Sequence, residues 1–591
     1  MLKMNILKTK QQKKHILCIF LSVFILILLG CGFYRQRLSA QTEDQRFTHY
    51  TNQLFRQELS GNTLSLHYTL KDPDTYHIAD APISLGSYQT NTSFVCASFE
   101  NSLSLLHSYD KSKLSKNHQI TYEILETYLT SSLKEAQYLL YDEPLAPLTG
   151  TQAQLPVLFS EFQFYSKQDV DTYLALLAET PTYFSSILDF EQEKANQGLF
   201  MSSSQVDDII AECETFINLQ DNNYLYSSFV QRLKSLDLSK KEQNSYIEKN
   251  ATYIEQYIFP AYEDLKQGLS SLRKNGTNTG GLCNLPDGSK YYELLAATET
   301  GSSRTIPELQ QLTKNHIAED LNSIQKTLSA MSAGTPSRTS DLFKSQGIVL
   351  EDSNPASILS SLKRELPGHF PTPPDVNVQI KYVSQEMEDY LSPAFYLIPA
   401  IDNTEENIIY INNGHMTDDI SLYTTLAHEG YPGHLYQTTY FANQKPTPIR
   451  TLLNFGGYTE GWATYSEMLS YYFAPIEKTQ ATLLQKNNSI LLGLYALADM
   501  GIHYDGWSLS DTVTFFRSYG ITDTDAIEEI YNLIISDPAN YLKYYIGYVE
   551  FLELKKEAIH RWGKDFSQER FHKAVLDIGP APFDVIRKYI F

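Results

Sequence analysis

The chain has 591 residues, 42% apolar and 20% charged, enough to bury a large core and to exclude wholesale disorder. Its net charge of −22 argues against nucleic-acid binding, because neutralising phosphates requires basic surface. Five cysteines in this length exclude a disulfide scaffold, and the length suits about three to four domains or one large bilobal body.

Lys3, Lys8, Lys10, Lys13 and Lys14 precede the first acid, Glu43, and an apolar run extends from Ile16 to Phe33. A basic segment before an apolar one is an export signal rather than part of a fold. Leu28-Leu29-Gly30-Cys31 resembles a bacterial lipobox, which makes Cys31 a lipidation site. The run is also near the minimum length that spans a bilayer, so an uncleaved anchor stays open, as does release. Each reading puts the body outside the cytoplasm, held by a lipid or a single N-terminal helix in the first two. Removing residues 1–30 takes away five lysines and no acid, leaving a body of about −27. Cys96, Cys213 and Cys283 permit at most one disulfide, with buried free thiols the alternative.

Residues 1–31 are thus read as the signal or lipoprotein anchor and 32–60 as a tether. Residues 61–280 form an N-terminal helical lobe. There, apolar residues recur at three- and four-residue spacing over Val170–Ala195, Gln205–Ile217 and Lys241–Leu272. Asn275–Gly281 breaks the pattern and marks the lobe boundary. In the second lobe, 281–591, three β-leaning runs, Val376–Val383, Ala394–Pro399 and Asn407–Asn412, predict a small antiparallel sheet. Helices follow, over Ile420–Gly430, Gly457–Phe473, Lys478–Asp499, Ser510–Tyr519, Asp525–Ile535 and Tyr541–Trp562. The expected fold is mainly α, large and bilobal, with the sheet beside the helix that carries the chemistry.

That helix holds His428-Glu429 and, after Gly430-Tyr-Pro-Gly, His434. Histidines four residues apart share a helix face and bind zinc through imidazole nitrogen, while the Glu activates water. Six residues turn through roughly 600°, about 120° off the face, so the helix must break. Pro432 and Gly433 supply the break. A helix ending near Tyr431, with His434 swung back, brings both rings to one metal; two unrelated histidines at a helix end is the alternative. Glu460, 26 residues on, completes a His₂Glu set with the fourth position left to water. Glu467 lies two turns beyond Glu460 on the same face and can orient a ligand. Gln437 is one turn past His434 and is a weaker positioning candidate.

These residues resemble bacterial domain-of-unknown-function family 885 (DUF885), with its His-Glu-x-x-Pro-Gly-His-x-x-Gln at His428–Gln437 and Glu-Gly-Trp-Ala at Glu460–Ala463. Leu285–Tyr292, Asp499–Trp507 and Pro538–Gly547 resemble further family segments. The family is similar to gluzincin-type zinc metallopeptidases with a deep groove. The resemblance implies one zinc per chain on His428, His434 and Glu460, and Glu429 as general base. It also offers His503 and Tyr544 as donors to a developing oxyanion. A peptide would be the substrate, and the strand Asn407–Asn412 could pair with it by strand addition. Leu435, Asn532, Ala539 and Asn540 depart from the family pattern, which puts substrate contacts in doubt rather than the metal set. A zinc amidase acting on cell-wall peptides and a peptide-binding lipoprotein without catalysis are the competing readings.

Overall fold

The computed structural model describes residues 41–591 apart from 79–80, 332–342, 344, 346, 384, 386–387 and 389–390. Cys31 and the expected anchor lie outside the described residues. Among the described residues no helix is long and apolar enough to cross a membrane.

The first helix, α1 (Glu43–Ser60), occupies most of the expected tether. Thr42 and Gln45 form a reciprocal capping box, and Phe47, Tyr50, Phe55 and Leu59 are buried along one stripe. Its polar composition hid that stripe, because only one residue in three or four has to be apolar. The helix α2 (Lys167–Gln197) starts at a Ser166–Asp169 capping box, runs through Pro181 and stops at Gly198, whose φ is +71°.

The expected boundary near residue 280 divides the chain differently from the cores. One core gathers residues from Phe47 to Leu129 together with residues from Leu282 to Ile586. The second is built mainly from Leu145 to Leu272 and reaches Val383 and Tyr410 of the sheet region. The chain therefore enters the larger core first, leaves to build the smaller one, and returns through Leu282. Helical periodicity identifies an apolar face but not its partner.

After α3 (Gly288–Thr300) come β1 (Asn377–Tyr382), β2 (Ala394–Leu397) and β3 (Glu406–Ile411). The order is β1-β3-β2. β1 runs parallel to β3, from Asn377↔Glu406 to Tyr382↔Ile411, and β2 antiparallel, from Ala394↔Ile411 to Leu397↔Ile408. The sheet is therefore mixed, not antiparallel as expected. Alternation along a strand sets its faces and carries no information on its direction. With β3 flanked on both sides, strand addition at Asn407–Asn412 is excluded; β1 and β2 are the edges.

Five later helices frame the site: α4 (Asp419–Glu429), α5 (His434–Asn443), α6 (Gly456–Ser470), α7 (Lys478–Met500) and α8 (Asn540–Trp562). α6 and α8 cross at glycines. A Cβ on Gly461 would lie 2.4 Å from the Gly547 carbonyl carbon, and one on Gly547 only 2.2 Å from the Gly457 oxygen. Only glycine permits this approach. The crossing holds α6, which carries Glu460, against α8, which carries Tyr544.

Candidate metal centre

α4 ends at Glu429, two residues earlier than expected, and His434 opens a new helix instead of hanging from the old one. Gly433 sits so close to α4 that a Cβ would meet the His428 carbonyl oxygen at 1.7 Å. The Pro432 carbonyl accepts Trp462 Nε1 at 2.8 Å and Ser466 Oγ at 3.2 Å. The turn between the histidines is thus fastened to the helix that supplies Glu460.

Glu460 Oε2 lies 3.6 Å from His428 Nε2 and 3.3 Å from His434 Nε2. All three ligand atoms fall within 4.8 Å of one another, the one such group among the described residues. A tetrahedral zinc with bonds of about 2.0–2.1 Å needs ligand atoms roughly 3.4 Å apart, so the donor chemistry suits that ion and the two separations from Glu460 match it. Glu467 Oε2 is 3.1 Å from His428 Nδ1, and its other oxygen accepts Asn488 Nδ2 at 3.2 Å. This bond puts the proton on Nδ1 and turns the Nε2 lone pair towards the cluster. Burial alone would lower the His428 pKa; the hydrogen bonds to Glu460 and Glu467 instead raise it well above the usual histidine value. The Glu460 carboxyl is pulled down by the two imidazoles against the effect of its own burial. Three acids around two imidazoles make a pocket that favours positive charge.

Glu429 is buried, and its Oε2 accepts the Tyr396 amide of edge strand β2 at 2.8 Å. Burial raises its pKa, with His434 and His428 acting the other way. Tyr544 faces the same cavity of about 440 Å³, its ring stacked 6.4 Å from that of His428. Burial first, then Glu460 and Glu429, push its phenol far above the usual range, so it stays a protonated donor.

Two expected site residues do not line the cavity. His503 is sealed in the core: Nδ1 accepts the Leu282 amide at 3.1 Å and Nε2 donates to the Ile534 carbonyl at 2.9 Å. With both nitrogens committed to backbone and no place on the cavity wall, it cannot stabilise an oxyanion. Gln437 is buried too, and donates to the Tyr458 carbonyl at 3.3 Å, tying α5 to the first turn of α6. Cys96, Cys213 and Cys283 are free thiols. Sequence reasoning missed the Tyr396 amide and Asn488. A backbone donor has no sequence signature, and Asn488 belongs to no motif.

A protein from Colwellia psychrerythraea, provisionally assigned as a lipoprotein, superposes with a TM-score of 0.81 at 19% identity, over 93% of this chain and 98% of that one. A second, from Shewanella oneidensis and assigned in the same provisional way, gives 0.65 at 16% identity, over 92% and 99%. A provisionally assigned oligoendopeptidase F from Bacillus anthracis gives only 0.31 at 10% identity, over 86% and 97%, too distant to bear on function. No curated protein matches the sequence. At these identities the structural likenesses establish the fold alone. The family model described as bacterial protein of unknown function (DUF885) matches residues 96–590, and the chain belongs to that family.

Proposed function

We propose that this chain is an extracytoplasmic zinc metallopeptidase, anchored to the membrane through its N-terminus and acting on oligopeptides. One observation carries the reading: a His₂Glu donor set, a buried carboxylate held by a strand amide, and a protonated tyrosine all border one cavity walled by an edge strand.

Zinc in this set would supply Lewis acidity and bring the pKa of a bound water near 7. Glu429, with one oxygen fixed by the Tyr396 amide, keeps the other for proton transfer: it takes a proton from the attacking water and gives it to the leaving amine. Its burial raises its affinity for that proton. The Tyr544 hydroxyl donates a hydrogen bond where negative charge develops. The outer edge of β2 lines the same cavity and, apart from the Tyr396 amide taken by Glu429, would offer its backbone to an extended peptide, taking the part expected of β3.

The anchor reading rests on the basic–apolar N-terminus with Cys31, and the provisional lipoprotein assignments of the two structural neighbours support it. Metal analysis of protein lacking residues 1–31 should give about one zinc per chain, as a single His₂Glu site requires. Glu429→Gln should keep the metal and lose turnover of a peptide library. Offering cell-wall muropeptides beside linear peptides assigns the substrate. Absence of metal from wild-type protein with His428 and His434 intact would sink the proposal.

A further inference from the structure

Three segments singled out in the sequence have no place at the metal cluster: the stretch ending at Tyr292, the stretch from Asp499 to His503, and Pro538-Ala539. They meet in one buried polar knot. Tyr292 donates its hydroxyl to Asp499 Oδ1 at 2.5 Å, and the Ala539 amide donates to the same oxygen at 3.1 Å. The Tyr292 ring stacks on His503, centroids 5.3 Å apart and planes 23° apart. His503 bridges the Leu282 amide to the Ile534 carbonyl, and Ile534 lies just ahead of Pro538 in the chain. Tyr292, Asp499 and His503 are all at most 1% exposed.

The knot has one outlet. Ala539 is the N-cap residue of α8, and its φ of +65° is left-handed, a region that L residues other than asparagine and aspartate seldom visit. Its own side chain cannot cap a helix. Asp499 does so from a distant part of the chain, accepting at the helix mouth where backbone amides lack intrahelical partners. Tyr544 stands on the second turn of α8, five residues beyond that cap, with its ring over His428. The glycine crossing with α6 fixes α8 at Gly547; Asp499 fixes the end before it. Tyr544 lies between these two points.

We propose that Asp499 is a positioning residue: with Tyr292 and His503 it holds the N-terminus of α8 so that the Tyr544 phenol stands at the metal cluster. The catalytic part of the proposal rests on the peptidase reading above; the mechanical part, ordering of the α8 entrance, does not.

The test is a double-mutant cycle in turnover, with metal content and hydrogen exchange read in parallel on the full-length body. Tyr544→Phe should lower kcat by about 10²–10³, the usual cost of one lost oxyanion donor. Asp499→Ala should lower kcat by roughly 10² through misplacement of the same group, with KM changed far less and zinc retained. In the Tyr544→Phe background the Asp499→Ala effect should largely vanish. Asp499→Asn keeps the Oδ1 acceptor and should restore most of the turnover lost in Asp499→Ala. Amide exchange over residues 539–545 should quicken in Asp499→Ala and stay at the wild-type rate over α6. Tyr292→Phe, which removes a single hydroxyl, should shift exchange and kcat in the same direction by less, and serves if Asp499→Ala does not fold. Full additivity of Asp499→Ala and Tyr544→Phe overturns the positioning role, and unchanged exchange at 539–545 overturns the mechanical part. A wild type without metal or turnover overturns the peptidase reading instead, and the exchange experiment still reads the knot.

Discussion

His428, partly buried, and His503, fully buried, both lie in motif segments and both touch a ring and a polar neighbour, yet the fold uses them in opposite ways. His428 faces two carboxylates and a cavity, and its pKa is driven up. His503 faces a backbone amide and a backbone carbonyl, and burial drives its pKa down to about 4. Carboxylates supply compensating charge, so a cation could take the place of the proton on Nε2 while Glu467 holds Nδ1. Backbone dipoles on both nitrogens consume the ring's hydrogen-bonding capacity and leave it neutral. What separates a proposed ligand from a strut is therefore the charge of the partner and access to a cavity, more than the identity of the residue.

The sharpest way to break this contrast is to remove a cluster carboxylate. Glu460→Ala takes away a proposed ligand and the charge that holds both imidazoles. Zinc affinity should fall well beyond the roughly 10–100-fold expected for a residue that merely orients a ligand, and turnover should fall with it. Retained stoichiometric zinc, measured by equilibrium dialysis, would put the metal elsewhere. Next comes His503→Ala, which strands the Leu282 amide and the Ile534 carbonyl and should destabilise the fold by about 3 kcal/mol while zinc stays bound. Its pH dependence has a definite sign. The folded-state pKa is about 4 against 6.5 for the free side chain, so the stability this group confers is fully present above pH 6.5. That contribution, also about 3 kcal/mol by linkage, is lost as pH falls from 6.5 to about 4. Asp499 beside it, raised to about 7 by burial, works in the opposite sense. The quantity to follow is thus the difference between wild type and variant, which should shrink on acidification in denaturant titrations. A difference independent of pH would mean that His503 is not held neutral.

The same contrast explains what the sequence could and could not disclose. That His428, His434 and Glu460 come together, with Glu429 beside them, was legible because candidate metal donors are few in kind and their spacing has to meet a fixed coordination distance. The break at Pro432-Gly433 was legible because those residues forbid a continuous helix, although the new helix at His434 was not, since no cap residue announces it. His503 misled because a motif histidine looks alike whether its neighbours are carboxylates or peptide groups, and those neighbours come from residues 282 and 534. Helices such as Lys478–Met500 were read to within a residue or two from periodicity. The burial of α1 in the larger core and the parallel pairing of β1 with β3 depend on partners distant in sequence, so local pattern held no sign of them.

Two smaller effects refine the contrast within the site itself. Glu467 touches His428 only at Nδ1, so Glu467→Gln should weaken zinc binding by about 10–100-fold, because an amide oxygen still accepts that proton but no longer supplies charge. A competition assay with a chelator of known affinity reads this directly, and an unchanged affinity would show that orientation alone is what Glu467 gives. Asp418 probes the far end of the same helix. It caps α4 by accepting the Ile420 and Ser421 amides at 3.0 and 2.9 Å. Burial opposes its ionisation, but hydrogen bonds from Ser421 and Ser345 outweigh that and lower its pKa, so its contribution is present above its ordinary pKa and is lost on acidification. Asp418→Ala should cost about 1 kcal/mol of stability, as helix caps generally do. It should leave zinc affinity unchanged, because His428 is ten residues away and is held by Glu467, while Glu429 next to it is held by the Tyr396 amide. A variant that loses zinc along with its cap would show that the cluster is held from the start of α4 rather than from its end, and that the carboxylate and strand contacts at Glu429 and His428 are too weak to organise the site alone.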